Sequence, residues 1–296
     1  MGNFSLSRVG VDNGQLLDTD LIYLDEKVVE AVEQALVARR VFAPVRLPHA
    51  GVKTWTVNVR GIMNTARVDM DGLNASFDRT KKTAHSVSVP VIHKEYLLPW
   101  RDIIASRAAG MPIDVSEPED AAKRVAVEEN FMCLTGETTA HRLLGIQGLA
   151  TATSRNTEAS AGAWSTATNA IQDVSDAIAE LEADGHNGPY ALICRSDMAA
   201  DLRLLIANTG MLCKEKILQM VNQIYVSDAL YASNDAVTSA LVVEPGPQNF
   251  ELGIAQEVTN FTWQDKDMNT LGKVYEVVVP HIKRPTSICE ITGITA

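Results

Sequence analysis

The stretch from Asp173 to Cys194, DVSDAIAELEADGHNGPYALIC, carries a helix, a turn and a strand with clear punctuation. Apolar residues recur at Ala167, Ala170, Ile171, Val174, Ile178 and Leu181, a spacing that turns one stripe of a helix toward a core. Gly185 stops the helix, and Asn187-Gly188-Pro189 turns the chain. Tyr190 to Cys194 then reads as a short strand too apolar to face water. Alone, this is a folding unit and says nothing of function.

Outward from it, the chain alternates between strong helices and β-rich segments. Asp25 to Phe42 reads as the first helix, with Val28, Val29, Val32, Leu36 and Val37 on its apolar face and Arg39-Arg40 at its C-terminal end. Met1 to Tyr23, polar and without sustained period, reads as an extended arm. TWTVNV (Thr54 to Val59) and HSVSVPVI (His85 to Ile92) alternate as strands around a polar, glycine-broken tip, which predicts an extended β-loop with little core of its own. Ser116 to Gly136 reads as a second helix: Ser116 and Glu119 form a capping box, and Val127, Phe131 and Leu134 share a stripe. Ala150 to Ala163 reads as loop. Asp197 to Asn208 reads as a helix and Lys214 to Met220 as a shorter helical piece. Gln223–Ser227, Ala240–Glu244, Leu252–Gln256 and Val274–Val279 read as strands. The class is α+β.

Composition narrows the function. The 296 residues carry a formal net charge of -11, which argues against a non-specific coat on nucleic acid. Cys133, Cys194, Cys213 and Cys289 form no CxxC pair and sit among apolar neighbours, so buried thiols in a reducing compartment are expected. No secretory leader or membrane-spanning run is read, which places synthesis in the cytosol. There is no HExxH, GxGxxG, P-loop or GxSxG, and the six histidines have no ligand spacing. Glu128 and Glu129 are adjacent on a helix and point about 100° apart, so one is expected to face solvent and the other a subunit contact. The four tryptophans read as packing anchors or interface residues. No catalytic residue, cofactor or metal is expected.

Several segments, in order, carry a resemblance. DEKVVEAVEQALVARRVFAPV (25–45) is similar to the encapsulin N-terminal helix, which ends in an Arg-Arg pair and an apolar pair. AAKRVAVEENFMCLTGE (121–137) followed by GIQGL (145–149) resembles the spine-helix region. GPYALI (188–193) resembles the strand entering the apical domain, and FELGIAQEVTNFTWQDKD with VYEVVVPHIKRPTSICEI resembles the returning strands. The chain thus resembles the encapsulins and the tailed-phage major capsid proteins. The resemblance implies the Hong Kong 97-type phage capsid fold, with N-arm, extended β-loop, peripheral domain with spine helix, and apical domain. Its divisions would be an arm (1–23), N-terminal helix and connection (24–51), β-loop (52–99), peripheral domain (100–163), apical domain (164–250) and returning strands (251–296).

The implied function is self-assembly into an icosahedral shell of pentameric, and in larger shells hexameric, capsomers. The ending KRPTSICEITGI lacks the tail familiar from encapsulins, and the arm and β-loop are long. The reading therefore favours a viral major capsid protein, found in the virion around packaged DNA. The alternative is a cytoplasmic encapsulin nanocompartment enclosing a cargo protein, which Arg39-Arg40 favours. A remote third reading is an α+β enzyme with an unrecognised site. Expected assembly contacts are Arg39, Arg40, Trp55, Arg79, Lys81, Lys82, Glu128 and Glu129. No membrane partner and no covalent Lys-Asn cross-link are expected.

Overall fold

The computed structural model describes residues 16–60, 66, 68, 70, 79, 82–136, 144–207, 210–230 and 239–294. Two sheets, each with its own helices, organise them. The first has strand order β1-β9-β10-β4, built from Ala43–Arg46 (β1), Val91–Leu98 (β4), Phe250–Gln264 (β9) and Thr270–Ile282 (β10). β10 runs antiparallel to both β4 and β9, while β1 runs parallel to β9. Helices α1 (Asp18–Ala35) and α3 (Ser116–Leu134) pack against each other beside this sheet, with α2 (Trp100–Ala108) following β4. Leu24, Val28 and Val32 of α1, Val125 and Met132 of α3, and Val274 and Val278 of β10 meet in one core.

The second sheet has order β5-β11-β8-β6-β7, from Asn156–Ala159 (β5), Ala191–Cys194 (β6), Gln223–Val226 (β7), Ala240–Val243 (β8) and Ile288–Thr292 (β11). Helix α4 (Ala167–Ala183) covers it, burying Ala167, Ala170, Val174 and Leu181 of the expected stripe together with Ala177, while Ile171 and Ile178 are partly buried at its edge. Two short helices, α5 (Ser196–Asp201) and α6 (Cys213–Ile217), join α4 on that face, while Ala191, Ile193, Leu241, Val243 and Ile288 turn the other face into the first core. Trp164 is fully buried at the start of α4, where its indole N–H donates to Asp173 at 2.7 Å. Asp173 also accepts from the Ser160 hydroxyl at 2.5 Å and the Ala161 N–H at 2.7 Å. One buried carboxylate thereby ties the loop 160–164 to the helix. All four cysteines are buried free thiols, and burial pushes Cys194 and Cys289 up to about 12. A hairpin, β2 (Thr54–Arg60) with β3 (Lys82–Ser88), stands apart as a two-stranded sheet.

Several expectations are corrected. Residues 18–23, expected in the arm, form the start of α1: the Asp20 carboxylate accepts the Leu17 N–H at 3.0 Å and pairs with Arg107 at 2.7 Å. The first helix ends at Ala35 rather than Phe42, and Ala38–Arg40 form a separate 3-10 turn. Val29 faces outward and Val127 is exposed, so neither belongs to a buried face. Helix α3 has Val115 at its N-cap position and no Ser116–Glu119 box; Asp114, just before it, accepts the Ser116 N–H and hydroxyl at its Oδ1. Residues 85–92 divide at Val89-Pro90 between β3 and β4. The helix expected over 197–208 is only Ser196–Asp201, and the expected loop 150–163 contains β5. Residues 1–15 of the expected arm and most of the β-loop tip lie outside the described residues.

Gly136, where α3 stops as expected, shows why the spine helix and the GIQGL turn belong together. Its φ is +62°, and a Cβ there would lie 2.3 Å from the Gly148 nitrogen. The two backbones touch, and a side chain at either position would force them apart.

Candidate functional site

Of the residues singled out in the sequence, the structure brings together Arg39 and Glu129. The cause is Asn130, beside Glu129 on α3. Its Oδ1 accepts the N–H groups of Val37 and Ala38, each at 2.9 Å, and its Nδ2 donates to the Ala35 carbonyl at 2.8 Å. One side chain satisfies the orphan groups where α1 ends and starts the following turn. That turn aims Arg39 back at α3 and the sheet.

Arg39 then meets three carboxylates. Its Nε and Nη2 grip Glu129 in a bidentate pair at 2.9 and 2.8 Å, Nη2 also reaches Glu276 of β10 at 2.9 Å, and Nη1 reaches Glu257 of β9 at 2.7 Å. Glu129 and Glu276 are fully buried, whereas Glu257 is exposed. Burial works against the Arg39 charge, but the hydrogen bonds and charges of Glu129, Glu276 and Glu257 raise its pKa. Burial and the adjacent Glu129 carboxylate hold Glu276 well above the usual carboxylate range, against the pull of Arg39. The buried carboxyl of Glu276 thus favours its protonated form beside Glu129. This is a structural lock: it fixes the end of α1 onto α3, β9 and β10.

Glu129 thus serves its own subunit, which corrects its expected place at a subunit contact; its residue is wholly enclosed. Arg40, one position on, is exposed. Trp55 is half-buried against the first sheet, and Arg79 is exposed. Lys82 pairs with Arg60 across the hairpin, and Lys81 lies outside the described residues. Glu128 is exposed and lines a cleft of about 510 Å³ with Lys94, Arg124 and Val127. Sequence reasoning missed Asn130, Glu257 and Glu276. Glu276 did leave a signal, a single acid inside the apolar run Val274 to Val279.

The locked helix keeps apolar residues on its outer side: Ile22 is 69% and Val29 46% exposed, separated by Asp25 and Glu26. A second apolar surface lies on the first sheet. There Phe261 and Trp263 stack at 5.8 Å, and Leu97 and Val91 of β4 are exposed on the same face. Among the described residues, no group of three or more His, Cys, Asp or Glu is placed to hold a metal ion, and no helix is long and apolar enough to cross a membrane.

Two sheets, a long helix beside one of them and a hairpin rooted on β10 make up the described fold, and solved structures share it. The virus-like particle of Pyrococcus furiosus aligns with a TM-score of 0.70 at 15% identity, over 93% of this chain and 100% of that one. The capsid protein of Myoviridae phage XM1 aligns at 0.64 and 10% identity, over 86% and 90%. The fold is the α+β, Hong Kong 97-type capsid fold, as the resemblance implied.

A family model described as an encapsulating protein for peroxidase (Linocin_M18) matches residues 14–278, and this chain belongs to that encapsulin family of shell proteins. The type 1 encapsulin shell protein EncA of Myxococcus xanthus is 29% identical over 286 residues, 96% of each chain. A diheme-cytochrome-encapsulin shell fusion protein of Kuenenia stuttgartiensis is 30% identical over 274 residues, covering 90% of this chain and 71% of that protein. These findings favour the encapsulin alternative over the viral reading: these sequence relatives are encapsulins, and the phage capsid named above shares the fold at 10% identity.

Proposed function

We propose that copies of this chain close into a cytoplasmic nanocompartment that encloses a cargo protein, the alternative that the sequence reading set beside a viral head. The observation that carries it is the locked α1, a helix fixed at its C-terminal end by Asn130 and Arg39 while Ile22 and Val29 stay outward. Such a helix is a rigid rail whose outer side sets the apolar Ile22 and Val29 among Asp25 and Glu26, suited to a peptide segment of a cargo protein that carries both apolar and basic residues. Rigidity matters here, because a pre-ordered surface spends less of its binding energy on ordering itself.

In this reading 52–99 is the β-loop that reaches a neighbour and 164–250 the apical domain, while the expected arm of 1–23 lies outside the described residues up to residue 15. Trp55, Arg79, Lys81 and Lys82 belong to the β-loop contact. Arg40 and Glu128 remain candidates for the surface between peripheral domains. The pentameric vertices of a closed shell would satisfy the apolar sheet face and the hairpin edges, which a free subunit leaves in water.

The test is to express the chain alone, purify by size and image it by electron microscopy. Uniform closed shells support the reading, and a compact monomer or dimer overturns it. Co-expression with candidate cargo proteins then separates the two contents: a retained protein supports the compartment, and retained DNA with none restores the viral reading.

A further inference from the structure

The hairpin β2–β3 meets the rest of the chain at its root. Trp55 and His85, one from each strand, share a face of the hairpin, because Trp55 pairs with Val87 and His85 with Val57. Both rings close on His281 of β10, Trp55 edge-on at 5.5 Å and His85 tilted at 5.8 Å. Trp55 also occupies the space over Gly253 of β9, where a Cβ would come within 2.8 Å of the indole. His281 is 3% exposed, and neither ring nitrogen has a hydrogen-bond partner.

A dry imidazole with no acceptor nearby tolerates only its neutral form. Burial first, then the positive charges of His85 and Lys283, push the His281 pKa down to about 4. The groups around it are few. His85 on β3 is exposed, and Trp55 on β2 brings no charge. Glu251, opposite His281 on β9, is already paired with Lys283.

We propose that His281 is an acid-sensitive latch: when it gains a proton it leaves its dry site, Trp55 and His85 part from it, and the β2–β3 hairpin swings free while the four-stranded sheet stays folded. The sign follows from linkage. With the docked value below that of a solvated histidine, the released state binds more protons. The latch is whole above the solvated histidine value of about 6.5, weakens as pH falls, and has lost its contribution below about 4. This concerns a hinge within one subunit and stands whether or not shells close.

Hydrogen exchange on the purified full chain from pH 7 to 4, corrected for intrinsic rates, tests it. Amides of 54–57 and 84–88 should lose protection at least tenfold in acid, while those of β10 and α3 keep theirs. His281→Leu should move the hairpin transition down by at least one pH unit. His85→Gln, at an exposed position that does not endanger folding, should move it down by less, since one opposing charge is gone. An unchanged midpoint in folded His281→Leu would overturn the latch, as would simultaneous loss of protection in β10 and α3. Should His281→Leu not fold, an unchanged midpoint in His85→Gln would overturn it alone.

Discussion

The two sheets bury themselves by different means. The five-stranded sheet is covered on one face by helices whose apolar stripes come from nearby sequence, and its chain-distant polar ties are separate local ones, such as Arg155 on Glu290 at 2.8 Å and His186 between Glu244 at 2.6 Å and Thr286 at 3.1 Å. Its large exposed apolar residues gather around the two short helices, at Leu204, Leu205, Met211 and Leu218. The four-stranded sheet instead holds a charged lock inside and leaves Phe261, Trp263, Leu97 and Val91 outside. The difference lies in what stays outside: one face of the four-stranded sheet keeps these apolar residues exposed, while Arg39 and its carboxylates tie the end of α1 to the other side.

The comparison breaks most sharply at Asp173. Asp173→Ala leaves the Trp164 indole N–H, the Ser160 hydroxyl and the Ala161 N–H without their acceptor, at about 3–5 kcal/mol. Urea unfolding should show this loss with near-UV signal from Trp164 falling in step. On the other sheet, Asn130→Ala removes three backbone hydrogen bonds at the end of α1, worth about 2–4 kcal/mol. Its exchange pattern should be local, with α1 losing protection and α4 keeping it. Uniform loss across both sheets would show that the two regions fold as one unit.

Smaller effects sharpen the contrast. Burial and Glu129 raise the pKa of Glu276 in the folded chain above its unfolded value, so wild-type stability should decline as pH rises from about 5 to 9. Glu276→Gln, an uncharged isostere, should flatten that decline by about 1–2 kcal/mol, read as Tm at both pH values; an unaltered slope would mean that Glu276 is ionised in the folded chain. Phe261→Ser, at a 60% exposed position, should alter subunit stability by less than about 0.5 kcal/mol. Particle yield on a sizing column should nevertheless fall, which would assign that sheet face to assembly.

Legibility in the sequence follows the same division. Helix α4 and strand β6 were readable because their pattern is local and their partners apolar. The end of α1 was not, because its cap is an asparagine 95 residues downstream. Helix α2 escaped notice since only Ile103 on it is fully buried, which leaves no stripe to detect. Strand β5, NTEA, has no apolar alternation and exists through its parallel pairing with β11. Of the lock, Arg39 and Glu129 were visible as residues, but their union depends on where α1 stops. The family resemblance supplied the fold where periodicity did not, and its arginine pair pointed to one residue that locks inward and one that stays exposed.

Arg39 also sets an order of events during synthesis. Its partner Glu276 lies 237 residues later in the chain. At about 5–20 residues per second, a ribosome needs roughly 10–50 s to make that span. Through that interval α1 lacks its full set of partners, so its end is held only by what α3 supplies until β9 and β10 have been translated.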